Sequence, residues 1–182
     1  MTHRLRLLFA VAALMAAVAG ECAEAEGCVR SAPAPVFQGS QAGLGAHRFK
    51  TVSSHEAREH ADLASGVSVD IHHQGCEYFV TTFRFESADI LKNGTSAQAA
   101  YQSAAGLLRQ LGRLKGEFVF DLQLAAATLD QTSRDSRPLE LEQEIPFGGD
   151  GSGLLQTQVK IDSAGRNAKS GFVQVTLFLG PL

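Results

Sequence analysis

The feature that most constrains this chain is a strict two-residue alternation near its C-terminus. Leu155, Thr157, Val159 and Ile161 alternate with Gln156, Gln158 and Lys160, and Val173, Val175, Leu177 and Leu179 repeat the pattern. Successive side chains of a strand point to opposite faces, so each segment buries one side and wets the other. Residues 148–153 and 162–171 are rich in turn formers, which predicts an antiparallel meander. Leu139, Leu141 and Ile145, alternating with Glu140, Glu142 and Glu144, supply a third strand for it. Leu141 opposite Val159 then sets Ile145 opposite Leu155. Val159 opposite Val175 sets Thr157 opposite Leu177 and Ile161 opposite Val173. Apolar and polar faces stay separate throughout.

Upstream, Val67, Val69 and Ile71 alternate with Ser68, Asp70 and His72, and Gln74-Gly75 marks a reversal into a second strand over residues 76–85. Phe79, Phe83 and Phe85 share one side of it, while Cys76, Tyr78 and Val80 share the other, which suits a central strand. Residues 95–115 predict the long helix. Thr95 is its expected cap, Gln98 the return residue of a capping box, and Ala100, Ala104, Leu107, Leu108, Leu111 and Leu114 its apolar face. Residues 54–63 are expected as a short helix, and Phe118, Phe120, Leu122 and Leu124 as one face of another strand. The expected fold class is therefore α+β: a curved antiparallel sheet of about six strands packed against one long helix, in the order β-β-α-β-β-β-β.

The N-terminus predicts export. His3, Arg4 and Arg6 precede an apolar run over residues 7–18, and Ala17-Val18-Ala19 offers the small residues of a cleavage site. The run falls short of the ~20 residues that span a bilayer, and Glu21, Glu24 and Glu26 follow it. Glu21 before Cys22 makes a poor lipid-attachment site. The expected organisation is a signal peptide over residues 1–19, an arm and Pro/Gly/Ala-rich connector over 20–48, and a single α+β domain over 49–182. Val36 and Phe37 are the bulky apolar pair of the connector, which is read as a loose link or a strap over the domain.

The expected location is the periplasm or the exterior, with no stable membrane insertion after cleavage. An oxidising compartment favours a disulfide, and Cys28 with Cys76 is the preferred pair because it ties the arm to a strand. Closing that loop of about 50 residues is worth roughly 4 kcal/mol at the upper end. Cys22 is left over, and no CxxC supports thiol exchange.

The 182 residues carry 16 Lys+Arg against 19 Asp+Glu, a balance that argues against a dedicated nucleic-acid binder. Phe79, Phe83 and Phe85 are accordingly assigned to the core rather than to a stacking platform. His55, Glu59 and His60 would form a partial metal set on a helix, but His60 points about 100° away from Glu59 and the spacing is not HExxH. An ordinary polar surface is the expected role, and no metal or cofactor is predicted. His72 and His73 face opposite ways on a strand, which leaves Asp70, His72 and Glu77 as a cluster dependent on register. Residues 148–153 lack the lysine of a phosphate loop and read as a flexible turn. Asn93-Gly94-Thr95 reads as the turn into the helix rather than a glycosylation site.

Two surface features are singled out as binding residues. Glu140, Glu142 and Glu144 form an expected acidic strip, read chiefly as a solvated face and secondarily as a docking patch for a basic partner. Leu154, Phe172 and Phe178 fall on the otherwise polar side of the last strands. They are expected to contact another protein, receive the Val36-Phe37 arm, or fill a second small core. The leading functional expectation is an exported, non-enzymatic protein-binding or inhibitor-like domain with a partner in the cell envelope. The alternatives are a periplasmic hydrolase using His55, His60 or His72, and a small-ligand carrier with a cavity between sheet and helix.

Overall fold

The structure, a computed structural model, describes residues 31–76, 78–135, 138–149 and 155–181. The expected signal peptide, Cys22, Cys28, Glu77 and Leu154 lie outside those residues. The first four strands form a meander: β1 (Leu44–Ser53), β2 (Glu56–Leu63), β3 (Ser68–Gln74) and β4 (Phe79–Ser87). Two helices follow, α1 (Ala97–Leu111) and α2 (Leu122–Arg134), then β5 (Ile145–Gly149), β6 (Leu155–Arg166) and β7 (Gly171–Pro181). The seven strands make one sheet in the order β1-β2-β3-β4-β7-β6-β5, with every neighbouring pair antiparallel.

This corrects the expected six strands, single long helix and β-β-α-β-β-β-β order. The chain runs β-β-β-β-α-α-β-β-β. Residues 44–53 form β1, a strand that was not expected, and three local misreadings account for the remaining differences. Residues 56–63 were expected within a helix but form β2, whose inward positions are Ala57, Glu59, Ala61 and Leu63. Small and charged residues there conceal the alternation that large aliphatics would reveal.

Residues 118–124 alternate like a strand, yet the Asp121 carboxylate accepts hydrogen bonds from the Gln123 and Leu124 amides and caps α2. From that cap, Leu122, Ala125, Ala126 and Leu129 fall on one buried helical face. Replacing Asp121 with alanine is expected to cost about 1 kcal/mol, read as a lower denaturation midpoint in urea at unchanged slope.

Residues 139–144 also alternate, but strand pairing begins only at Ile145, which faces Val159 instead of Leu155. Glu142 has a φ of 66°, and its amide donates to the Ile161 carbonyl at 2.8 Å, so the backbone turns where a strand was expected. Farther along, Val159 faces Leu177 rather than Val175, and Ile161 faces Val175 rather than Val173. Each of these shifts is an even number of residues. The apolar side therefore remains inward, which is why the face pattern could not expose the error. The first hairpin matches its expected place: Gly75 turns with a φ of 118°, and Ile71 lies opposite Phe83.

The two helices cover one face of the sheet and run antiparallel to each other. Gln98 of α1 donates to the Ser133 carbonyl near the end of α2, while Arg109 pairs with Asp130 and its carbonyl accepts from Gln123. The first helix is capped by Ser96, one residue beyond the expected Thr95, with its hydroxyl accepting from the Ala99 amide. Tyr101, Leu108, Leu111 and Leu129 meet Ile71, Phe83, Phe85 and Val175, all fully or almost fully buried. At roughly 1.5–3 kcal/mol for each large side chain removed from water, this layer is the main source of cohesion. Among the described residues, no helix is long and apolar enough to cross a membrane.

Candidate functional site

The face of each strand residue follows from the pleat, and the two faces of the sheet differ chemically. On the helix side, Glu59 of β2 is fully buried and accepts four hydrogen bonds. The Val36 amide donates at 2.8 Å, the Phe37 amide at 3.0 Å, His47 Nε2 of β1 at 2.6 Å and His73 Nε2 of β3 at 3.2 Å. Burial pushes the Glu59 carboxyl upward, but His73, the two amides and His47 together outweigh it and hold the group below its ordinary value. Every donor lies on a segment that must be in place for the site to exist.

That carboxylate fastens the expected strap. Val36 and Phe37 are buried in the main core, with the Phe37 ring edge-on to His47 and Phe118. The Glu117 amide donates to the Val36 carbonyl, while Gln41 exchanges hydrogen bonds with the Lys115 backbone. The arm thus seats on the helix side, away from Phe172 and Phe178. This removes one of the three roles considered for that aromatic pair.

Among the described residues, no helix lies over the opposite face. Strand register arranges its side chains in two transverse rows. One row runs Arg48, His60, Asp70, Arg84 and Gln174; the next runs Lys50, Arg58, His72, Thr82 and Thr176. All of these but Thr176 line a groove of about 740 Å³. Asp70 accepts from His60 Nδ1 at 2.7 Å, and Asp62 lies 3.4 Å from the Nε2 of the same ring. His72 Nε2 reaches Glu56 at 2.7 Å. Thr82 donates to Thr176, which in turn donates to Asp162 at 2.6 Å. The Arg84 guanidinium lies 4.1 Å from the centre of the Phe172 ring, a cation–π contact that fixes both side chains.

The expected site residues separate accordingly. Phe172 and Phe178 share the open face, half-buried, on β7. Glu140, Glu142 and Glu144 are exposed but lie in the connection before β5, so the expected one-sided strand of carboxylates does not form. His55 sits in the turn between β1 and β2. Glu59 and His60 face opposite sides of a strand, so the considered helical metal set does not assemble. Among the described residues, no group of three or more His, Cys, Asp or Glu is placed to hold a metal ion.

Phe83 and Phe85 are buried beneath the helices, stacked with ring centres 6.2 Å apart. The residues that sequence reasoning missed are Arg48, Lys50 and Arg58. Their signal was present in the run His47-Arg48-Phe49-Lys50, which alternates inward rings with outward cations. The chain matches no protein-family model, no curated protein and no solved structure.

Proposed function

We propose that this is an exported, non-enzymatic binding domain that presents the uncovered face of its sheet to a protein partner in the cell envelope. The observation that carries this reading is the asymmetry of the sheet. Two helices and the strap cover one side, while the other holds an open groove that reaches Gln174 on β7, with Phe172 and Phe178 on the same face of that strand outside the groove lining. Phe172 and Phe178, about 20 Å apart along β7, are half-buried aromatics on a polar, pre-formed face, the residue type that anchors protein interfaces. The hydrolase alternative has less support, because both ring nitrogens of His60 already face carboxylates. The carrier alternative meets a sheet–helix interlayer packed with Tyr101, Phe83, Leu108 and Leu129.

Export and the Cys28–Cys76 bridge belong to the same proposal. Ser31 and Phe79 line one small depression with His73, which brings the start of the strap beside the hairpin that carries Cys76. Cys28 precedes Ser31 by three residues in the sequence.

The test is affinity capture from native periplasmic extract followed by native mass spectrometry, comparing the unmodified protein with Phe178→Ser. Recovery of the partner is expected to fall at least about tenfold with Phe178→Ser, the scale of a lost interface anchor. Leu124→Ser, a change at an exposed position on α2, should leave it unaltered. Equal recovery with Phe178→Ser in a folded protein refutes this face as the binding surface.

A further inference from the structure

The groove has a cationic end that the fold itself does not neutralise. Lys50 lies directly opposite Arg58 in the β1–β2 ladder, and Arg48 projects from the same face two residues before Lys50. Like charges facing each other across strands are destabilising. Among the described residues, neither Arg48 nor Lys50 has an ion-pair partner, and exposed Arg58 has only Glu56 at 3.8 Å. Several other cations are engaged among the described residues, Lys92 with Asp89, Lys160 with Asp162, Arg109 with Asp130 and Arg84 over Phe172, whereas Arg113, Lys115, Arg134 and Lys169 are not; what sets Arg48, Lys50 and Arg58 apart is that the ladder places them together on one face. The formal charge of the whole chain is −3, so this cluster does not reflect a general excess of positive charge.

The same strand ends the sheet. Beyond β1 there is no further strand among the described residues, and its outward amides and carbonyls have no ladder partner there. Its pairing with β2 is regular over residues 47–51 and shifts register on either side. An extended peptide laid along this stretch would continue the sheet and project alternate side chains over the open face. Those side chains would be spaced about 6.6 Å apart, as Arg48 and Lys50 are.

We infer that the free edge of β1 accepts an extended acidic protein segment whose carboxylates, at alternate positions, meet Arg48, Lys50 and Arg58. This rests on the binding-face reading above and specifies the partner's chemistry. A peptide fits better than a polysaccharide or a lipid headgroup because only a peptide backbone satisfies a row of strand amides and carbonyls. Lysine on an edge strand also discourages sheet-to-sheet pairing, but that role is indifferent to the chemistry of an added anion.

The probe is a fluorescein-labelled peptide of about ten residues alternating Thr and Glu, followed by anisotropy at about 50 mM and about 500 mM salt. Binding is expected to weaken with salt and to fall at least about tenfold in Arg48→Glu/Lys50→Glu. Arg113→Glu/Lys115→Glu, just after α1, should leave it unchanged. Amides of β1 should gain hydrogen-exchange protection when the peptide binds. Circular dichroism and thermal melts check folding, and Arg48→Gln/Lys50→Gln gives a milder second variant.

No binding, binding indifferent to Arg48 and Lys50, or preference for heparin or anionic vesicles over the peptide overturns the inference. If the peptide fails while Phe178→Ser still abolishes partner capture, only the acidic-segment inference falls. If both tests fail, the binding face falls with it.

Discussion

Replacing Glu59 with alanine is expected to destabilise the domain by about 3–5 kcal/mol, the range found when one member of a buried charged pair is removed. The change strips the acceptor from two buried backbone amides, from His73 and from His47 while all four stay in place. Glu59→Gln should cost less, about 2 kcal/mol, because one oxygen survives but an amide NH₂ then faces groups that already donate. Urea denaturation gives the magnitudes, and hydrogen exchange at Val36 and Phe37 shows whether the strap has let go. A loss under about 1 kcal/mol for the alanine variant would show that the strap is held by other contacts.

The same site fixes the sign of an acid dependence. In the folded protein Glu59 is held below its ordinary value of 4.5. In the window between the depressed and ordinary values the unfolded chain binds the extra proton, so stability rises with pH there. The contribution is complete above 4.5 and is lost as pH falls through the folded value. The stability gap between the native protein and Glu59→Gln should narrow on acidification across that window. His47 and His73 are the titratable groups that face the carboxylate, from β1 and β3.

Gly171→Ala should have a comparable effect through steric overlap. A Cβ at this position would lie 1.9 Å from the Ile90 carbonyl oxygen and 2.7 Å from its carbon. Neither backbone atom can swing away as a side-chain tip would. Arg166 also donates to that carbonyl and to the Ala88 carbonyl, both at 2.8 Å. Gly171 itself pairs with Ser87 and Arg166 in two ladders. A cost of about 3 kcal/mol or more is expected, lowering Tm by about 6–12 °C. A shift below about 2 °C would mean that the 88–91 turn yields freely.

Which parts of this fold were legible depended on residue size. Large aliphatics marked β3, β6 and β7, and the Phe-rich run marked β4. In β2 the inward side contains Ala57, Glu59 and Ala61, and a carboxylate in a core position is invisible without knowing that four donors converge on it. The second helix was hidden for the opposite reason: Phe118, Phe120, Leu122 and Leu124 imitate a strand until Asp121 caps a turn. The open face was partly visible through Phe172 and Phe178. Its cations were not, because Arg48 was assigned to the connector, Lys50 to no element and Arg58 to a helix. The acidic run before β5 shows the converse error, since alternation alone does not supply a partner strand.

The position of β7 has a consequence for the order of assembly. It follows the other six strands in sequence, yet it sits between β4 and β6 and joins the N-terminal meander to β5 and β6. Until residues 171–181 emerge, the two halves have no shared ladder, and Phe83 and Phe85, already paired with β3, lack their second neighbouring strand. The sheet therefore closes from its middle and late, through pairings remote in sequence, which is a slow kind of closure.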